Sequence, residues 1–200
     1  RTAIDAAKAV NMPAENIERA IKKGTGELEG TIFEELTYEG YGPGGAAIII
    51  EATTDNPNRT VAEVRHAFSR NNGNLGASNS VAWMFDRKGQ IYLDAARLGE
   101  DAVMEAALDA GAEDLTREDE QYLVTTTPPA FHAVQDALRA RGFTIDSAEL
   151  AMVARTTVRL DGADAERLIR LLDVLEELDD VSKVFSNFDI DSAHLAEAEA

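Results

Sequence analysis

One predicted helix holds the charged side chains whose types and spacing most strongly indicate chemistry. Four residues at intervals of four, three and four share one face of the helix that follows Pro57, namely Arg59, Glu63, His66 and Arg70. Arg65 lies beside this face. Because guanidinium groups bind phosphate oxygens through charge-assisted hydrogen bonds, the pattern predicts a phosphate-contacting surface. An ordinary solvated helix face, with Glu63 paired locally, is the alternative interpretation.

Further polar side chains would enlarge this surface. A second predicted helix, which ends at Gly24, contributes three basic residues: Arg19, Lys22 and Lys23. Two more, Arg87 and Lys88, lie on a hairpin that we predict close to the first helix. Loop and turn residues complete the set of predicted contacts: Tyr41, Asn56, Asn72 and Asn74.

Other kinds of site find little support in the sequence. The segment Gly40–Gly45 matches the letters G-x-G-x-x-G, but a dinucleotide site needs a helix directly after the loop, and a strand-like run follows instead. The segment is more typical of a wide glycine turn between antiparallel strands. The three histidines lie far apart, cysteine is absent and no hydrolase motif occurs. We therefore predict no metal, no cofactor and no enzymatic activity.

The acidic side chains are concentrated in the later part of the chain. The 200 residues carry 37 Asp and Glu against 19 Lys and Arg, a net charge of −18. Residues 1–26 have a net charge of +2, residues 27–88 of −4, and residues 89–155 and 156–200 of −8 each. Because acidic surfaces repel a polyanion, nucleic acid would meet residues 1–88 or a segment before them. The acidic half would serve solubility or dock on a basic partner such as a ribosomal protein.

Composition limits the class of protein. A hydrophobic content of 44% is typical of a folded globule, and no apolar run approaches the ~20 residues that a membrane helix needs. The absence of cysteine is consistent with a reducing compartment. We expect a cytoplasmic monomer that has no contact with membranes.

Hydrophobic periodicity predicts helices and strands in the first part of the chain. Two helices end at Asn11 and Gly24, and a third follows Pro57. Three strands are predicted, over residues 32–38, 46–53 and 80–85. A turn at Lys88-Gly89 then leads into the next strand, which completes the hairpin.

Residues 88–155 are predicted to alternate in the order βαββαβ, which is the ferredoxin-like unit. The first of its helices, over 100–110, is expected to bury four side chains: Val103, Met104, Ala107 and Leu108. The RNA-recognition motif shares this topology, but it displays two or three stacking aromatic residues on its central strands. Only Tyr92 and Tyr122 are candidates here, within an acidic segment, so we reject that interpretation.

A helix over 164–178 and a strand over 183–190 close the sequence, and they cannot bury their own apolar faces. We therefore predict an α+β protein in which residues 31–87 and 156–190 form one discontinuous domain. Residues 88–155 are inserted into it. The remainder of an N-terminal helical domain, 1–30, precedes these parts, and a tail, 191–200, follows them.

Four motifs in this order resemble those of the YebC/PmpR family. They are Asn11–Gly24, Tyr38–Gly45, Asp55–Arg65 and Gly73–Gly76. The resemblance spans the whole chain and is densest over residues 11–90. That family holds bacterial regulators and the mitochondrial translational activator of cytochrome c oxidase subunit I.

The resemblance implies a YebC-like three-domain architecture, with an N-terminal helical domain and two α+β domains, one inserted in the other. It implies a Lys/Arg-rich stretch before Arg1, and it offers no catalytic residue. Members are DNA-binding transcriptional regulators, or translation factors that engage ribosomes or mRNA, including ribosomes stalled on proline runs. We accordingly expect a nucleic-acid-binding regulator of gene expression, with DNA as its target. The alternatives are a ribosome-associated translation factor and a protein-docking module that acts through its acidic half.

Overall fold

The structure, a computed structural model, describes residues 2–25, 32–96, 98–118 and 120–190. Two helices come first, α1 (Thr2–Ala9) and α2 (Ala14–Gly24), as predicted. Asn11 lies between them with a left-handed φ of 57°, a conformation that asparagine tolerates better than most residues. Residues 26–30 of the predicted N-terminal domain and the predicted tail, 191–200, lie outside the described ranges.

The remaining elements alternate between strands and helices. In chain order they are β1 (Glu34–Tyr41), β2 (Ala47–Thr54), α3 (Pro57–Arg70), β3 (Asn74–Leu75), β4 (Phe85–Asp94), α4 (Glu100–Asp109), β5 (Asp114–Glu118), β6 (Gln121–Thr126), α5 (Phe131–Ala140), β7 (Ser147–Ala154), β8 (Val158–Leu160), α6 (Gly162–Glu176), β9 (Val181–Ser186) and β10 (Phe188–Ile190). Single 3₁₀ turns occupy Pro43–Gly45 and Ala82–Met84. The fold is α+β, as predicted.

One sheet has the strand order β3-β1-β2-β9, with every neighbouring pair antiparallel. Helices α3 and α6 pack on one face of it. The core between them includes Ile48, Ile50, Val64, Phe68, Leu168 and Leu171. Helix α3 approaches strand β1 closely at Gly40, where a Cβ atom would lie 2.7 Å from the Phe68 ring. Glycine is therefore required there for packing.

A second sheet has the strand order β5-β6-β4-β7. With α4 and α5 it forms the ferredoxin-like arrangement that the sequence predicted. Its core is a separate cluster that includes Ile91, Leu93, Val103, Val124, Phe131, Val134 and Leu138. Leu108, predicted to be buried in this core, is instead 49% exposed, because Ala106 takes the inward position on α4.

The prediction of a strand over 80–85 is wrong. The chain makes a 3₁₀ turn there, and β4 begins only at Phe85. The backbone N–H groups of Val81 and Ala82 donate to the Glu39 carboxylate, each at 2.8 Å, so neither of them is available to a strand ladder.

The predicted hairpin turn at Lys88-Gly89 is also wrong, because β4 runs straight through both residues. Gly89 is a packing glycine: a Cβ atom there would collide with the hydroxyl of Thr126 and the ring of Phe131. In a sequence, a glycine that makes room for a neighbour has the same appearance as one that permits a turn.

The predicted strand 183–190 is divided into β9 and β10 at Asn187. This buried side chain accepts the N–H of Ala47 at 2.7 Å, and its amide donates to the carbonyl of Thr156 at 3.3 Å. β10 then pairs in parallel with β8, a strand that the sequence did not predict.

The described chain divides into two compact units. Within the described ranges, one contains the residues up to 12 and 87–152, and the other contains 13–86 and the residues from 153 onward. Within the latter, the N–H of Arg155 donates to the carbonyl of Met84 at 2.9 Å, and its guanidinium bonds Asp86 at 2.7 Å. The domain boundaries proposed above stay predictions. No helix within the described ranges is both long and apolar enough to cross a membrane.

Candidate nucleic-acid interface

Helix α3 presents one charged face to solvent. Asn56 caps its N-terminus, because the side-chain oxygen accepts the N–H of Arg59 at 3.2 Å, and Pro57 occupies the first turn. Val64 and Phe68 are fully buried on the opposite face. The predicted outward residues are all exposed: Arg59, Glu63, Arg65, His66 and Arg70.

Arg65 and Arg70 keep their charged groups available. No described residue forms an ion pair or a side-chain hydrogen bond with either guanidinium group. Glu63 is the one carboxylate on this stripe, and within the described ranges it pairs with neither arginine. The local pairing of Glu63 is therefore not seen with these arginines, and an ordinary solvated helix face stays the alternative interpretation.

Arg59 has a different environment. Its guanidinium bonds both carboxylate oxygens of Asp180, at 2.8 and 2.9 Å from Nη2, and it also contacts Asp55 at 3.1 Å. The side chain remains 45% exposed, but its donors point at two carboxylates. Arg59 is therefore engaged within the protein, and we do not carry its predicted phosphate contact forward.

Asp180 is the centre of a buried polar cluster that joins the end of β2 to the start of α3. Its carboxylate accepts hydrogen bonds from the hydroxyls of Thr54, at 3.0 Å, and Thr60, at 2.7 Å. Burial alone would raise the pKa of Asp180. The hydrogen bonds from Thr60, Arg59 and Thr54, with the charge of Arg59, outweigh burial and lower that pKa below its ordinary value. Asp180 therefore stays ionised and holds the N-terminal turn of α3 in place.

The basic side chains of α2 are exposed, with different partners. Arg19 pairs with Glu15 at 3.3 Å across one helical turn. Lys23 places its ammonium group 5.3 Å from the centre of the Phe33 ring. Lys22 makes no side-chain bond to a described residue. Of the adjoining loop, residues 26–30 lie outside the described ranges.

Arg87 and Lys88 belong to the other unit, on β4. Lys88 bonds Glu113, the residue just before β5, at 2.8 Å, and Arg87 is exposed. They lie on a strand of the ferredoxin-like sheet and not on a hairpin, so we leave them out of the interface proposed below.

The four predicted loop and turn contacts have different environments. The hydroxyl of Tyr41 donates to the carbonyl of Ser80 at 3.1 Å, and Asn56 serves as the helix cap. Asn72 and Asn74 are exposed, and Asn72 has a left-handed φ of 58°. Gly40–Gly45 leads into β2, not into a helix, and therefore lacks the helix N-terminus that a dinucleotide site needs.

A buried carboxylate that sequence reasoning missed holds the loop after β3. Glu39 is only 6% exposed, and it accepts the backbone N–H groups of Asn79, Val81 and Ala82 at 2.7, 2.8 and 2.8 Å. Burial alone would raise the pKa of Glu39, but these three bonds outweigh it and lower that pKa. A glutamate among the glycines and aromatic residues of 38–45 was the only sequence signal.

Comparison with known proteins places these features in context. A family model described as the TACO1/YebC second and third domain matches residues 33–188. A probable transcriptional regulatory protein of Gemmatimonas aurantiaca is 56% identical over 198 residues, which are 99% of this chain and 80% of that protein. One of Geobacter sulfurreducens is 53% identical over 195 residues, 98% of this chain and 78% of that protein.

A solved structure is similar along most of the chain. It is the crystal structure of a conserved hypothetical protein from Aquifex aeolicus, which is 49% identical and superposes with a TM-score of 0.86. The similarity covers 96% of this chain and 79% of the other.

Proposed function

This chain belongs to the TACO1/YebC family, and we propose that it is a regulator of gene expression that binds DNA through the outer face of α3. Relatives more than 50% identical over almost the whole chain are named probable transcriptional regulatory proteins, which supports the regulatory role. We propose a cytoplasmic location for this role.

The observation on which the proposal depends is the pair of unpaired guanidinium groups on α3. Arg65 and Arg70 lie on one exposed helix face, with His66 between them in sequence, and no carboxylate of the described residues is bound to either. Each can bind phosphate oxygens without first breaking an ion pair within the described structure. Lys22 on α2 is a further candidate of the same kind. Contacts of this type position the protein on a nucleic acid and do not by themselves select a sequence.

The test is the salt dependence of binding to a mixed-sequence DNA duplex. Each phosphate contact that is lost lowers the slope of log affinity against log salt by about one, so Arg65→Ala with Arg70→Ala should lower it by about two. The matched control is Arg167→Ala with Arg170→Ala, which removes the same charge from the exposed side of α6. Equal slopes for the two double variants and the unaltered protein would refute the proposal.

A second candidate function is docking on a basic protein partner, for example a ribosomal protein. An open cleft in the ferredoxin-like unit favours it, because four carboxylates line this cleft together with Gln121: Asp94, Glu118, Glu120 and Asp146. This surface would suit a translation factor bound to ribosomes. Co-sedimentation with ribosomes distinguishes the two functions: charge reversal in the cleft would abolish protein docking, whereas the arginine variants would leave it intact.

A further inference from the structure

The loop that connects β3 to β4 is held in one conformation by long-range bonds. Glu39 accepts three of its backbone N–H groups, and the carbonyl of Ser80 accepts the hydroxyl of Tyr41 at 3.1 Å. Asn79, in the same loop, has a left-handed φ of 65°. Because the buried Glu39 carboxylate binds three backbone N–H groups of the loop, it restrains the loop backbone at this point.

This loop exposes Trp83, the single tryptophan of the chain. The side chain is 64% exposed, although its indole N–H donates to the carbonyl of Ser80 at 3.1 Å. The ring is therefore oriented while most of its surface is in contact with water. A large aromatic ring that is already positioned loses little conformational entropy when a partner covers it.

The charge around Trp83 in the sequence favours a polyanionic partner. Residues 64–85 contain no Asp or Glu, and this is the longest such stretch in a chain with 37 of them. The same stretch contains Arg65, His66 and Arg70, and it adds exposed amide side chains at Asn72, Asn74 and Asn79. Residues 64–85 offer a basic protein partner no carboxylate side chain of their own, whereas they offer a nucleic acid cations, amides and one aromatic ring.

We propose that Trp83 stacks on an unpaired base of single-stranded nucleic acid. The inference rests on the proposed function and specifies which form of nucleic acid the loop with Trp83 binds. An unpaired base offers a free π face to an aromatic side chain, whereas the faces of paired bases are covered within the duplex stack. The exposed amides of the same stretch have the donors and acceptors that bond the edges of such a base.

Because Trp83 is the only tryptophan, its own fluorescence reports the contact. The probes are oligouridylate and oligodeoxythymidylate of about ten nucleotides, with a mixed-sequence DNA duplex of similar length for comparison. Both single strands should quench Trp83 emission, and the duplex should not. The affinities of oligouridylate and oligodeoxythymidylate, compared with each other, show whether Trp83 prefers RNA or DNA.

Affinity measurements on variants test the same contact. Trp83→Ala should weaken single-strand binding by about 5- to 100-fold and leave duplex binding unchanged, and Trp83→Phe should retain most of the affinity. Trp83→Leu is the matched control because it keeps apolar surface without a π face. If Trp83→Leu binds single strands as tightly as the unaltered protein, the contact is apolar packing and the inference is refuted.

The results also separate this inference from the function on which it rests. If the Arg65 and Arg70 variants lower the salt slope while Trp83→Ala binds single strands normally, stacking is refuted and the α3 interface stands. If Trp83→Ala weakens binding while the arginine variants leave the slope unchanged, stacking stands and the α3 interface is refuted. An absence of binding to every probe at low salt would refute both.

Discussion

The guanidinium of Arg59 bonds both carboxylate oxygens of Asp180, a residue 121 positions further along the chain. This pair fixes the first turn of α3 to the loop between α6 and β9. It also separates two kinds of arginine on one helix: Arg59 holds the helix in place, whereas Arg65 and Arg70 remain available to a ligand.

We expect Asp180→Ala to lower the free energy of unfolding by about 2–4 kcal/mol, because it removes the acceptor that Thr54, Thr60 and Arg59 share in a buried cluster. Urea denaturation measures this change. Asp179→Ala is the control, since Asp179 is exposed and its removal should alter stability by less than about 0.5 kcal/mol. Similar losses for both variants would show that the cluster contributes little.

We expect Arg59→Ala to change stability and Arg65→Ala to change the salt dependence of DNA binding. Arg59→Ala should lower the urea midpoint and leave the salt slope of DNA binding nearly unchanged, because its donors already bind Asp55 and Asp180. Arg65→Ala should leave the urea midpoint nearly unchanged and lower the salt slope by about one. A full unit of slope lost in Arg59→Ala would mean that Arg59 also contacts phosphate.

Acid should destabilise the protein through Glu39 and Asp180. Both pKa values are lowered in the folded state, so the stability that these groups contribute is complete above the ordinary carboxylate pKa near 4. It is lost as the pH falls through the lower folded-state values. Glu39→Gln with Asp180→Asn should therefore be less stable near neutrality and show a shallower decline below about pH 4. Glu63→Gln, on the exposed face of α3, should retain the steep decline of the unaltered protein.

Removal of the Glu39 carboxylate should loosen the loop after β3. In Glu39→Ala the amide protons of Asn79, Val81 and Ala82 lose their acceptor, so we expect their hydrogen exchange to accelerate more than that of the β1–β2 ladder. Glu35→Ala, an exposed residue on the same face of β1, is the control. Unchanged exchange at all three amides would show that Tyr41 and Trp83 hold the loop without Glu39.

Gly89→Ala should cost about 1–3 kcal/mol, because a Cβ atom at this position collides with Thr126 and Phe131 in a packed core. Thermal or urea denaturation measures the loss. Gly24→Ala is the matched control: a Cβ atom there has open space, so the helix-favouring alanine should be neutral or slightly stabilising. A neutral Gly89→Ala would mean that the ring of Phe131 moves aside easily.

Features that depend on local periodicity were predictable from the sequence. The helix from Pro57 and the shared outer face of Arg59, Glu63, His66 and Arg70 follow from spacing alone, because the helical repeat decides which side chains share a face. The βαββαβ order of the second sheet is equally local, since each strand and helix is a separate run of apolar residues.

Features that depend on distant partners were not predictable. Nothing near Arg59 in the sequence indicates Asp180, and nothing near Glu39 indicates that it will accept N–H groups about forty residues later. Gly89 was misassigned to a turn because the ring that requires it, Phe131, belongs to another element. The division at Asn187 depends in the same way on Ala47 and Thr156.

The bonds of Arg155 to Met84 and Asp86 have a consequence for how such chains diversify. They bring the point where the polypeptide leaves the β3-β1-β2-β9 unit next to the point where it returns. A segment with adjacent ends can be lengthened, shortened or exchanged for another at little entropic cost to its host. The ferredoxin-like portion can therefore change in length without separating the two ends that join it to the unit that bears Arg65 and Arg70.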